Sequence, residues 1–83
     1  MRVNNQLEKG VNNMFVIATS TVGELDVQVF GNDYEKALEA LEEEYNNAMA
    51  DNEHVEEVFF DKKESYYIRN QFDEEYIGKL IQV

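Results

Sequence analysis

The sequence has no cysteine and no proline, and a single histidine, His54. Without cysteine there is no disulfide framework and no thiolate metal site, which fits a cytoplasmic protein. No apolar run approaches the ~20 residues needed to span a bilayer, and no segment resembles a signal peptide. There is no nucleophile–histidine pair and no glycine-rich phosphate loop. His54 has neither a cysteine nor a second histidine with which to share a metal. Ser20 and Ser65 show no sign of a base partner. The chain therefore reads as a non-enzyme with no cofactor.

Positive charge is the other scarcity. Seven Lys and Arg face eighteen Asp and Glu, for a net charge of −11 in 83 residues. Fifteen of the acids lie in residues 31–83, where only five bases oppose them, while residues 1–30 are almost neutral. A charge of this size repels nucleic acid and anionic lipid and attracts basic clefts. The chain is nonetheless expected to fold, because its ten Phe and Tyr, with Val, Ile and Leu from residue 14 onward, are too many for a disordered chain. At this length there is room for one domain with a modest core.

Residues 1–13 contain four Asn, one Gly and isolated apolar residues at Val3, Leu7 and Val11, and are expected to form an N-terminal arm. Residues 14–83 are expected to form a single α+β domain. The continuous apolar run from Met14 to Ser20 has the character of a central strand. Thr21-Val22-Gly23 supplies a turn, with Gly23 free to take a positive φ. In Glu24–Phe30, Leu25, Val27 and Val29 alternate with Glu24, Asp26 and Gln28, the pattern of a half-buried strand completing a hairpin.

A helix follows. Asn32 is placed to cap it, with Glu35 three residues on completing a capping box. Tyr34, Ala37, Leu38, Leu41, Tyr45, Ala48 and Met49 then mark one apolar stripe. Asp51-Asn52-Glu53 ends the helix. Val55–Asp61 and Ser65–Asn70 form a second hairpin through Asp61-Lys62-Lys63-Glu64. The phase of Val55 against Val58 and Phe60 suggests a bulge near Glu56-Glu57. The last segment, Glu75–Val83, fits a strand and also one face of a short helix capped by Asp73, and its Ile and Val content favours the strand. The order β-β-α-β-β-β predicts an antiparallel sheet with one amphipathic helix across one face, the other face carrying charge and some aromatics.

Three acidic groups stand out. Glu35, Glu39, Glu42 and Glu43 run along the helix, Glu53, Glu56, Glu57 and Asp61 flank the third strand, and Asp73, Glu74 and Glu75 are consecutive. Held rigidly, they would space anions much as nucleic-acid phosphates are spaced, roughly 3.4 Å apart along each strand. Ordinary solvated glutamates with good helix propensity explain the helix row equally well. A calcium loop is disfavoured, since neither Asp51-Asn52-Glu53 nor Asp73-Glu74-Glu75 has alternating ligands around a central Gly. Tyr66 and Tyr67, and likewise Phe59 and Phe60, are adjacent in strands and must face opposite ways. One of each pair should lie off the helix-covered face, where aromatic anchors beside charge suit protein binding. Phe72 is a further candidate contact.

The segment Val22–Val29 followed by Asn32-Asp33-Tyr34-Glu35-Lys36-Ala37-Leu38 resembles the hairpin-then-helix opening of small acidic phage and mobile-element proteins, some anti-CRISPR inhibitors among them. The likeness covers residues 14–47 and carries no functional residue. It implies a DNA mimic in a bacterial host's cytoplasm that occludes the basic nucleic-acid channel of a defence nuclease and does not itself touch nucleic acid, as a monomer or homodimer. Two alternatives stand beside it: an immunity protein for a nuclease toxin, and a self-associating module whose last strand offers a free sheet edge.

Overall fold

The computed structural model describes residues 14–62 and 64–83; the arm expected over residues 1–13 lies outside them. Five strands and one helix follow the expected order: β1 (Phe15–Thr21), β2 (Glu24–Val29), α1 (Tyr34–Ala50), β3 (Val55–Asp61), β4 (Ser65–Asn70) and β5 (Glu75–Gln82). All pairings are antiparallel, in the spatial order β2-β1-β5-β4-β3. The fold is α+β.

The first hairpin turns at Val22 and Gly23, whose φ angles of 50° and 89° are the left-handed pair that a two-residue hairpin requires. Glycine adopts this freely, whereas a β-branched residue does so under strain. The Val22 amide also donates to the Glu75 carbonyl at 3.0 Å, tying the hairpin tip to the start of β5. In β3 the register shifts between Val55 and Glu57, the expected bulge.

The helix is capped one residue later than expected. Asp33, not Asn32, is the cap, its carboxylate accepting from the Lys36 amide at 3.1 Å. Both residue types cap well; the Asp33 amide is itself held by the Phe30 carbonyl, which starts the helix at Tyr34. The stripe is as expected, with Ala37, Leu41 and Ala48 buried and Leu38, Tyr45 and Met49 half-buried.

The last segment is a strand throughout, and a central one, lying between β1 and β4. The free edge that a self-associating module would need there is absent, because both sides of β5 are already paired. Gly78, central to β5, makes this packing possible. A Cβ placed on it would sit 2.1 Å from Cε2 of Tyr66, so the tyrosine ring lies directly on the glycine of the neighbouring strand. Tyr45 then meets Tyr66 edge-on at 5.7 Å and stacks on Phe60 at 4.4 Å. Around this aromatic cluster sit the buried residues Ile17, Leu41, Ile68 and Tyr76.

Every fully buried apolar side chain belongs to α1 or to the sheet face beneath it. Register places Ile17, Thr19, Tyr66, Ile68, Tyr76, Gly78 and Leu80 on that face. The same register gives an unexpected result for β2. Gln28 lies beside Ile17 and Asp26 beside Thr19, so the polar residues of β2 share the helix side. Leu25, Val27 and Val29 point to the opposite, open face and are exposed, Leu25 to 83%. The expectation of a half-buried β2 is thus corrected: its alternation is real, but its apolar side is exposed and only Gln28, on the polar side, is partly covered by α1.

Gly78→Ala should destabilise the fold by about 3 kcal/mol, the upper range for overpacking, because Tyr66 has no room to withdraw; urea unfolding measures this. Burial, and then the charge of Glu44, push the Tyr66 hydroxyl up to about 12. The folded protein therefore holds this proton when the unfolded chain has released it. The stability contributed is complete below pH 10 and is lost as pH rises toward 12. A pH series of thermal unfolding should show that loss in the native chain and a flatter profile in Tyr66→Phe.

Candidate docking surface

The open face is built by strand alternation from all five strands. β2 contributes Leu25, Val27 and Val29, and β1 contributes Val16, Ala18 and Ser20. β5 adds Ile77, Lys79 and Ile81, β4 adds Ser65, Tyr67 and Arg69, and β3 adds Glu57, Phe59 and Asp61. Leu25, Val27, Val29, Phe59, Ile77 and Ile81 are all exposed large hydrophobics. Phe59 and Tyr67 lie side by side with ring centroids 6.3 Å apart. An apolar band thus crosses the sheet from edge to edge with nothing packed on it among the described residues. Contiguous exposed apolar patches of this kind mark interaction sites.

Several charges in and beside the band are held by partners. Arg69 donates to Asp73 at 3.2 Å and to Glu57 at 3.5 Å. Burial opposes its charge, but the two carboxylates outweigh this and hold its pKa above the ordinary value. The Tyr67 hydroxyl donates to Glu75 at 2.8 Å, and that bond raises the Tyr67 pKa. Glu74 accepts from the Asn70 side chain at 2.8 Å, while Oδ1 of Asn70 accepts from the Phe72 and Glu74 amides. Buried Asn70 thereby fixes the loop from Asn70 to Glu75. Phe72 sits exposed on that loop.

The three acidic groups do not form one surface. Glu35, Glu39, Glu42 and Glu43 are exposed on α1. Glu57, Asp61 and Glu75 lie on the opposite, open side of the sheet by register. Glu56 lies 2.8 Å from Nε2 of His54 and accepts from it in the tautomer that carries the proton there, and Glu53 is exposed nearby. Asp73 and Glu57 are bound to Arg69. An anion array on a single face is therefore not what the fold presents, because alternation in β3, β4 and β5 divides the acids between two sides. Among the described residues no three acids or histidines cluster in a way that could hold a metal ion. Of the aromatics, Tyr66 is in the core and Tyr67 on the open face, as adjacency in a strand requires.

Arg69, Lys79 and Ile81 carry no site expectation from the sequence, and the apolar row of β2 is expected there as core. Period-2 alternation within Ser65–Asn70 and Glu75–Val83 places Tyr67 with Arg69, and Ile77 with Lys79 and Ile81; that signal was sufficient to find the cations. Because Leu25, Val27 and Val29 support no core, replacing all three by Thr should change unfolding free energy by no more than about 0.5 kcal/mol per site. The same variant should bind less of a hydrophobic-surface dye, read by fluorescence.

A family model described as "Ribosomal protein L6e" matches residues 3–79. No curated protein and no solved structure matches the chain. The family match overturns the likeness to phage and anti-CRISPR proteins, which rested on a turn and a helix start shared by many small α+β domains. The DNA-mimic inhibitor, the nuclease partner without nucleic-acid contact, and the location in a bacterial host followed from that likeness or from net charge alone, and they fall with it. The match points instead to a structural, non-enzymatic ribosomal protein. With the match spanning nearly all of the sequence, the chain belongs to the ribosomal protein L6e family.

Proposed function

We propose that this chain is a structural component of a ribosomal particle that docks through its open sheet face and meets ribosomal RNA there. The observation that carries this reading is the segregation of the surface. One face bears the apolar band, Phe59 and Tyr67, and both Arg69 and Lys79 beside Glu57, Asp61 and Glu75, while α1 bears a row of exposed glutamates with no cation but Lys36. The open face is the side on which a polyanion meets least repulsion. Its aromatic pair offers bases a stacking platform, and its two cations offer local phosphate contacts.

Net charge dictates the character of that contact. Proteins that grip RNA by neutralising phosphates release counterions and lose affinity steeply as salt rises. With two cations on the face, the slope of log affinity against log salt should be no steeper than about −1.4 on single-stranded RNA. Repulsion by the remaining acids is screened by the same salt, which flattens the dependence further.

Co-sedimentation of the chain with purified ribosomal particles across a salt series tests this. Binding should persist at high salt. Tyr67→Ala or Phe59→Ala should each cost about 1–3 kcal/mol, the range for a lost stacking contact. The triple variant Glu39→Gln, Glu42→Gln, Glu43→Gln should bind as well as the parent or slightly better. Loss of binding in that triple variant, with Tyr67→Ala unaffected, would refute the open face as the docking surface.

A further inference from the structure

The sheet has two edges, and they are built differently. β3 carries the bulge between Val55 and Glu57, which interrupts its ladder, one of the devices by which proteins blunt an edge. β2 has no bulge, and among the described residues its devices are limited to the charges of Glu24 and Asp26 on the helix side. Its pairing with β1 runs in unbroken register from Val16↔Val29 to Thr21↔Glu24, and Glu24–Val29 holds neither proline nor lysine. The hydrogen-bond phase is set at both ends. Thr21 and Glu24 close a two-residue turn, and at the far end the Phe30 amide donates to the Phe15 carbonyl at 2.9 Å. By alternation, Asp26 and Gln28 bond toward β1, and the amides and carbonyls of Leu25, Val27 and Val29 point outward from the sheet.

The two sides of this edge differ in chemistry. On the open face stand Leu25, Val27 and Val29. On the helix side stand Glu24 and Asp26, and Gln28 donates to Glu44 of α1 at 3.4 Å. Next to Gln28 is a shallow cleft of about 270 Å³ lined by Gln28, Phe30, Lys36, Glu39, Ala40 and Glu43. Five carboxylates and one lysine therefore border the helix side of the edge.

We propose that β2 is the docking edge for an extended segment of another protein chain in which apolar residues alternate with Lys or Arg. Adding a sixth strand satisfies the outward backbone groups of Leu25, Val27 and Val29. Alternation then sends the segment's apolar side chains onto the β2 apolar row and its cations into the acidic trough beside α1. A second copy of this chain fits less well: paired antiparallel about Val27, it would set Asp26 opposite Gln28 and would bring the acidic sides of both copies together without a cation to offset them. RNA does not fit either, having no amide ladder and meeting the acids with phosphates. The edge is three strands from Tyr67, roughly 14 Å, so although its apolar row belongs to the open face, a strand added there leaves Phe59, Tyr67 and Arg69 uncovered and does not depend on the RNA contact proposed above.

The test uses isotope-labelled protein and a short synthetic peptide alternating Lys and Val. Two controls accompany it: the same peptide with Glu replacing Lys, and the Lys–Val peptide N-methylated at alternate residues, which removes ladder bonds and keeps the charge. The Lys–Val peptide should shift and protect the amides of Leu25, Val27 and Val29 and leave those of β3 unchanged. N-methylation should weaken binding about tenfold or more, the worth of two ladder bonds. The double variant Glu24→Lys, Asp26→Lys should reverse the preference toward the Glu–Val peptide. Equal affinity of the N-methylated peptide, or shifts centred on the α1 glutamates, would show charge adsorption alone and overturn the proposal. So would no response to the Lys–Val peptide, or β2 protection that grows with protein concentration in the absence of peptide.

Discussion

One helix is too narrow to cover five strands. A helix with its side chains is about 10–12 Å across, whereas five strands at about 4.8 Å spacing span roughly 19 Å between the outermost axes. α1 therefore rests on β5, β1 and part of β4. The core collects under it, from Ile17 and Leu41 to Tyr66 and Ile68. The outer strand β2 meets it only through the Gln28–Glu44 hydrogen bond, the reverse face of the sheet lies beyond its reach, and both candidate contact regions follow from that shortfall.

Electrostatics and packing act together in this arrangement. On the open face Arg69 is paired with Glu57 and Asp73, and the Tyr67 hydroxyl with Glu75. The α1 glutamates are left to solvent, where they keep the molecule soluble and set its long-range field. That division leaves the open face as the more apolar side and the helix face as the more acidic one. Net charge alone assigns no face to a contact, because a sum over residues contains no direction.

Much of the fold was legible for identifiable reasons. The stripe from Tyr34 to Met49 specified α1, and Gly23, with the polar turn after Asp61, marked the two hairpins. The bulge in β3 announced itself when Val55 fell out of phase with Val58. Other features depend on relations that a linear reading does not contain. Alternation in Glu24–Val29 shows that two faces exist, but which one meets the helix depends on the register of β1. Gly78 looks like a flaw in a strand until Tyr66 is seen lying on it. The acidic groups were each visible, yet their division between two sides was set by strand pairing. Within the candidate surface, the aromatic pairs could be sorted by adjacency, whereas the exposed β2 row required the sheet.

The position of β5 governs how the molecule must assemble. The hairpins β1–β2 and β3–β4 close over short loops, yet neither can complete the sheet alone. The strand that joins them comes after both and pairs Phe15 with Gln82 and Ser65 with Lys79. Closing so long a loop delays the native contacts and makes folding slow for a chain of this size. Until that happens two unfinished hairpins expose four unpaired borders, so the passage to the native state is the interval of greatest risk of misassociation.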